Sequence, residues 1–188
     1  MIEVEIKVCI KNKKRLEQGM EQLGFMKGSL LRETDWYFDN MEGTFRKSDK
    51  ALRIRQCENL TSKENISYIT YKGPKLDNIS MTRKELEIRI DDAKTGKEIL
   101  QNLGFLPVFP VVKLRQYFHK DDMTACLDQV ENLGDYLELE IIVENEEGRE
   151  EALNRIFLFL EKLGYGTDDI IKTSYLSMLQ QKYNNDIK

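Results

Sequence analysis

Three segments of this chain carry carboxylates two residues apart within apolar alternation: "EVEIK" (Glu3–Lys7), "ELEIR" (Glu85–Arg89) and "ELEI" (Glu138–Ile141). A strand turns alternate side chains to opposite faces, so each segment sets its acids on one side and Val, Leu or Ile on the other. Basic residues follow the same rule. Arg53 and Arg55 alternate with Leu52 and Ile54, and Lys113 and Arg115 with Val112 and Leu114. Lys72 shares parity with Tyr68 and Thr70, and Asp128 with Cys126. Sorted this way, seven acids (Glu3, Glu5, Glu85, Glu87, Asp128, Glu138, Glu140) and eight bases (Lys7, Arg53, Arg55, Lys72, Arg83, Arg89, Lys113, Arg115) fall on charged strand faces.

On an open sheet such faces are washed by water. On a closed sheet they line an interior that cannot be dry, because an unpaired buried ion costs several kcal/mol while a whole domain holds only about 5–15 kcal/mol. The density of Arg, Lys and paired Glu favours a wet tunnel whose ions meet a ligand. That ligand must offer anionic oxygens to the bases and a divalent cation to the acids. A metal-bound nucleoside triphosphate or polyphosphate does both. His119 is the only histidine, so carboxylates are the expected metal donors and Mg²⁺ or Mn²⁺ the expected ion. Cys9, Cys57 and Cys126 stand singly and read as reduced thiols.

Positioning these groups requires many strands and a few helices. The other strands are expected at Asp35–Asp39, Ala51–Cys57, Ile66–Lys72, Val111–Phe118, Thr124–Val130 and Asp135–Glu144. Leu16, Met20 and Leu23 form an apolar stripe on a helix at Lys11–Leu23. A second helix starts at Asp91 or Asp92 and buries Ile99, Leu100 and Leu103; a third spans Glu147–Leu163; a last one runs over about Ser174–Tyr183. Leu-Gly-aromatic recurs at Leu23–Phe25, Leu103–Phe105 and Leu163–Tyr165, where glycine suits a helix end. The pattern predicts one domain over 1–183 and a polar tail at 184–188. A net charge of −4 argues against nucleic acid as a partner, and no apolar run is long enough to cross a membrane. No basic segment followed by an apolar one opens the sequence, so a cytoplasmic protein is expected.

The same blocks, taken in order, resemble the CYTH superfamily of triphosphate tunnel proteins. "EVEIK" is similar to its ExExK signature. The likeness continues through "YFD" (Tyr37–Asp39), "ALRIR" (Ala51–Arg55), "TYKGPK" (Thr70–Lys75), "SMTRKELE" (Ser80–Glu87), "LGFLPV" (Leu103–Val108), "KLR" (Lys113–Arg115), "LGDYLELE" (Leu133–Glu140) and "SYLSML" (Ser174–Leu179). Together they look most like the class IV adenylyl cyclase branch. The resemblance implies an α+β fold, a closed or nearly closed eight-stranded antiparallel β-barrel with flanking helices. It implies that Glu3, Glu5, Asp128, Glu138 and Glu140 hold Mg²⁺ or Mn²⁺. Lys7, Arg53, Arg55, Lys72, Lys113 and Arg115 would grip the triphosphate, with Arg83 as a further contact. Among them Lys7, Arg53, Arg55, Lys113 and Arg115 would stabilise the charge on a departing pyrophosphate. Glu85 and Glu87 share the required parity, and the loop Gly73–Thr82 is placed to cover one tunnel mouth.

The expected substrate is a small triphosphate, ATP first, converted to 3′,5′-cyclic AMP and pyrophosphate. Hydrolysis of thiamine triphosphate, tripolyphosphate or a nucleotide is the alternative, and a non-catalytic carrier a third reading. A homodimer is compatible with each. The sequence departs from the family's pattern at Lys172–Thr173, where a second basic residue is common, and at Tyr117–Met123, which matches no functional motif.

Overall fold

The alternating segments become eight strands whose order returns on itself. In the computed structural model, which describes residues 1–186, these are β1 (Ile2–Cys9), β2 (Met26–Asp39), β3 (Ala51–Asn59), β4 (Asn65–Lys75), β5 (Arg83–Ile90), β6 (Leu106–Lys120), β7 (Met123–Val130) and β8 (Gly134–Val143). They form a closed antiparallel barrel in the order β1-β5-β4-β3-β2-β6-β7-β8. The open sheet with a washed charged face is thereby set aside. Five helices, α1 (Lys13–Gln22), α2 (Thr44–Lys47), α3 (Ala93–Asn102), α4 (Arg149–Lys162) and α5 (Tyr175–Asp186), flank it.

The hydrophobic core lies outside the barrel wall, since the inner face is ionic. Val4, Ile6 and Val8 of β1, with Leu137, Leu139 and Ile141 of β8, are packed beneath Leu16 and Met20 of α1 and Ala152, Ile156 and Leu160 of α4. Leu52 and Ile54 of β3 pack with Ala93 and Leu100 of α3, and α5 adds Tyr175 and Leu179 to Val111, Val130 and Tyr136. Asn12 and Asp92 cap α1 and α3 by accepting from the backbone N–H groups of Arg15 and Thr95. The recurring glycines end α1, α3 and α4 in the left-handed region, Gly24 at φ +86°, Gly104 at +89° and Gly164 at +84°. Each following aromatic donates its N–H back into the last turn, to Met20, Leu100 and Leu160.

Some boundaries differ from those the pattern suggests. β2 begins at Met26 rather than Asp35, because a register shift between Lys27 and Leu30 hides its alternation. α3 turns Ile99 and Leu103 to solvent, where they are 54% and 69% exposed. It sits on the wall through Gly96 instead, where a Cβ would come within 2.7 Å of Ile90 Cδ1. Asn184–Asp186 of the expected tail continue α5, and Ile187 and Lys188 lie outside the described residues. No helix among the described residues is long and apolar enough to cross a membrane.

The seam between β1 and β5 is short: only Ile2↔Lys84 and Glu3↔Arg83 are in register. Beyond it, the loop expected to cover a mouth closes the wall, with Met81 donating its N–H to Glu5 O at 2.9 Å. Because the stabilising core is outside the tunnel, Ile156→Ala should lower stability by about 2–5 kcal/mol. Denaturant unfolding checks this. Binding of anions to the folded variant should be unaltered.

Candidate active site

The barrel encloses a cavity of 780 Å³ lined by Glu3, Glu5, Lys7, Arg53, Arg55, Lys72, Arg83, Lys113, Arg115, Glu138 and Glu140. Seven strand-borne bases and four of the five expected metal-ligating acids thus face one space. Lys7, Arg53, Arg55, Lys113 and Arg115 are each less than a tenth exposed.

Register explains how so many ions coexist. Directly opposite one another across neighbouring strands stand Lys7 and Glu138, Asp35 and Arg55, Glu33 and Lys113, Arg115 and Asp128, and Lys72 and Glu85. Each pair is closed by its side chains. Arg55 donates Nε and Nη2 to the two Asp35 oxygens at 2.6 and 2.7 Å, and Arg115 does the same to Asp128 at 2.6 and 2.5 Å. Lys7 lies 3.2 Å from Glu138, Lys113 3.3 Å from Glu33, and Lys72 2.8 Å from Glu85 and 3.0 Å from Glu3. In a desolvated wall such bidentate, charge-assisted contacts are the strong ones.

One facing pair of carboxylates breaks the rule. Glu5 of β1 stands opposite Glu140 of β8. Burial, then the neighbouring Glu138 charge, pushes the Glu5 carboxyl up to about 8 against the pull of Lys7. Burial and the Glu3 charge do the same to Glu140, also to about 8, with Arg115 opposing and Glu5 and Glu138 adding to the repulsion. Glu85, buried and hydrogen-bonded to Glu3, rises to about 7. By contrast, Glu138 is held well below the carboxylate range: burial raises it, but Lys7, Arg115 and Lys113 outweigh that. Glu3 is likewise held low, chiefly by Lys72 against burial. Glu5 and Glu140 are oxygen donors short of positive charge, the kind of pair that suits a hard divalent cation. The carboxylates that could hold one are Glu3, Glu5, Glu138 and Glu140, of which Glu3 is already paired with Lys72, and Glu138 with Lys7 and Arg115. Among the described residues no three of these carboxylates converge as a ready-made cage, so they are a donor set rather than a coordination sphere.

Two expected residues are engaged differently. Asp128 is 1% exposed, with both oxygens taken by Arg115, and Tyr175 donates its hydroxyl to Oδ2 at 2.9 Å. It is the bidentate partner of Arg115, whose Nη2 also donates to Glu138. Arg83 lines the cavity, yet its guanidinium is given to Asp49 Oδ1 at 3.0 Å and Gly73 O at 2.8 Å, tying the β2–β3 connection to the end of β4. Glu87 accepts from Thr70 at 2.7 Å, and Arg89 is exposed where β5 outruns its pairing with β1.

Four residues that the sequence pattern did not single out complete the site. Glu33 is fully buried and Asp35 2% exposed, both among the arginines. Burial raises Glu33, but Arg55, Lys113 and Arg115 hold it down at about 2; Arg55 and Arg53 overcome burial to hold Asp35 lower still. Tyr117, inside the segment that matched no motif, donates its hydroxyl to Glu33 at 2.8 Å. Tyr175 presents its ring to Lys7 and Lys113, 4.2 and 5.3 Å from the centroid. The alternation of Glu33, Asp35 and Tyr37 along β2 is the signal that finds the two acids; nothing in the sequence alone points to the two tyrosines.

Residues 1–175 match the family described as CYTH domain. The chain belongs to this family. A candidate adenylate cyclase of Methanocaldococcus jannaschii is 38% identical over 178 residues, covering 95% of this chain and 98% of that protein. The adenylate cyclase CyaB of Aeromonas hydrophila is 25% identical over 150 residues, covering 80% of this chain and 73% of its own. The solved structure of the Pyrococcus horikoshii protein PH1819 superposes with a TM-score of 0.86 at 33% identity, over 96% of this chain and 99% of that one. The ExExK-like residues Glu3, Glu5 and Lys7 all line the cavity from β1.

The depressed Glu33 carboxyl fixes a pH dependence. A group held below its ordinary 4.5 contributes stability above that value and loses it as pH falls toward about 2. Glu33→Gln should therefore lower the melting temperature clearly at pH 7. The gap from wild type should narrow as pH falls below about 4.5 and close only toward about 2, a trend read from melts across that range.

Proposed function

We propose that this CYTH protein is a metal-dependent adenylyl cyclase that converts ATP to 3′,5′-cyclic AMP and pyrophosphate. The observation that carries the reading is that Lys7, Arg53, Arg55, Lys72, Lys113 and Arg115 line one cavity together with Glu3, Glu5, Glu138 and Glu140. The adenylate cyclase names of two relatives support the choice of reaction. Lys and Arg forks match the spacing of phosphate oxygens, and in a desolvated tunnel they stabilise charge that builds on the β- and γ-phosphates as the bond to the α-phosphorus breaks. Arg53 is the least committed of them. Its nearest acids lie 3.4 Å (Asp35), 3.7 Å (Glu85) and 3.9 Å (Glu87) away, and its Nε has no partner.

Glu3, Glu5, Glu138 and Glu140 would hold Mg²⁺ or Mn²⁺, which supplies a Lewis acid able to lower the pKa of the attacking 3′-hydroxyl. Around that step the chain's own lysines and arginines would hold the phosphates in place. The same grip serves attack by water on the terminal phosphorus, so a triphosphatase acting on tripolyphosphate, thiamine triphosphate or a nucleotide is the second reading. What favours it is that the cations lining the cavity would act on the phosphate chain, the part of the substrate common to both reactions.

Incubation with ATP and Mg²⁺ or Mn²⁺, followed by product separation, tests the proposal. Cyclic AMP with equimolar pyrophosphate is expected; orthophosphate released from tripolyphosphate with no cyclic AMP from ATP would establish the second reading. Arg53→Gln should lower kcat/KM by roughly 10²–10³-fold with little loss of fold, since it removes transition-state donors that the resting structure barely uses. Glu5→Gln should raise the metal concentration needed for half-maximal rate by about tenfold or more while leaving the melting temperature equal or higher, because a neutral group replaces one of two repelling carboxylates.

A further inference from the structure

The donors a triphosphate needs are already in use by the protein. All three nitrogens of Arg55 face carboxylates: Nε and Nη2 are given to Asp35, and Nη1 lies 3.2 Å from Glu33 Oε2. Glu33 Oε2 also stands 3.3 Å from Lys113 and 3.9 Å from Arg115. Guanidinium and ammonium groups have donors only, and phosphate oxygens compete for those same donors.

From this we infer that Glu33 and Asp35 are built-in counter-ions that an incoming triphosphate displaces, and that they make the tunnel select a cation-complexed triphosphate over the free polyanion. The inference rests on the triphosphate reading of the same site. The six bases of the grip stand within 4 Å of eight carboxylates, Glu33, Asp35, Asp128 and Glu138 among them, so the cluster holds no surplus positive charge. A free tripolyphosphate would add four or five negative charges to a buried cluster without surplus positive charge. The same anion carrying a divalent ion adds two fewer, and its ion meets the glutamate wall.

The two acids differ in what displacement leaves them. Glu33 keeps the Tyr117 hydroxyl on Oε1 and a contact with Cys57 Sγ at 4.0 Å, whereas Oε2 has only its ion pairs. Asp35 is bonded only to Arg53 and Arg55 among the contacts of its carboxylate, so a phosphate that takes them strands a buried charge. Asp35 is therefore the stronger discriminator. Two roles are open to a buried acid beside an arginine. An acid that merely aims the guanidinium would aid binding; one that saturates its donors opposes it. At Arg55, where no nitrogen is left without a carboxylate, saturation prevails.

The test is calorimetric titration of inorganic tripolyphosphate into wild type, Asp35→Asn and Glu33→Gln, each in Mg²⁺ and in EDTA, with melts to establish folding. Wild type should bind the Mg²⁺ complex at least about tenfold more tightly than the free anion. Asp35→Asn should narrow that ratio about tenfold by gaining affinity in EDTA, and Glu33→Gln should narrow it less. A folded Asp35→Asn that binds the free anion no better, or more weakly, makes the acids scaffolding and overturns the inference. So does a wild type indifferent to Mg²⁺. If Asp35→Asn does not fold, Glu33→Gln, whose amide retains an acceptor for Tyr117, decides by the same ratio. Wild type that binds tripolyphosphate in neither condition instead overturns the triphosphate reading itself.

Discussion

A closed barrel filled with ions is possible only if charge is balanced locally, pair by pair. Low dielectric makes each unpaired ion expensive, and no bulk solvent averages the field across the tunnel. The register of the strands meets this demand. Sliding β3 against β2 by one residue would remove Arg55 from Asp35; sliding β7 against β6 would remove Arg115 from Asp128. Such a slip also turns every apolar side chain inward, so the oily outer face and the ionic inner face specify the same register twice. The helices then cover the outer face, and stability accumulates on the side of the wall that does no chemistry.

The exception to the balance is where function concentrates. Glu5 and Glu140, facing one another, have no opposite charge directly across the strands, and their neighbours Glu3, Glu138 and Glu85 belong to the same side of the tunnel. A structure that satisfies five ionic pairs by register and leaves the sixth mismatched holds electrostatic strain at one wall. Protons relieve it in part, as the raised carboxyls show. A divalent cation relieves it more fully, because it brings two charges and accepts several oxygens at once. Lining the same cavity is Arg53, 3.7 Å from Glu85 and with an Nε that has no partner. The two least satisfied features thus flank the same space, one lacking positive charge and the other lacking an acceptor, and a metal-bound polyanion complements both.

Much of this was legible in the sequence, for a simple reason. Parity along a strand survives any tertiary arrangement, so the inward set from Glu3 to Glu140 could be sorted before the barrel was known. Resemblance to tunnel proteins added closure, which parity does not contain. What could not be read was pairing between strands. Asp128 has the parity of a metal ligand, and only the register that sets it opposite Arg115 shows that its charge is already spent. Arg83 has the parity of a phosphate contact, but Asp49 in a distant connection claims it. Glu33 was hidden for a different reason: the bulged start of β2, with Leu30 beside Leu31, breaks the alternation that would mark a strand. Arg89 was overcounted because parity says nothing about where a wall ends.

The contrast between the two arginines of β3 unites these observations. Arg53 and Arg55 are two residues apart, equally buried and on one face, and the sequence gives no reason to separate them. Strand pairing does. Arg55 lies opposite Asp35 and receives a bidentate clasp, while Arg53 lies opposite Tyr37 on one side and Thr70 on the other and has no acid in register. Arg55 has every nitrogen against a carboxylate, whereas Arg53 has one 3.4 Å hydrogen bond to Asp35 and an Nε without a partner. On the proposed triphosphate reading, a ligand would meet the looser donors of Arg53 first and reach Arg55 only by exchange. Affinity in such a site is set by what the protein gives up as much as by what the ligand offers.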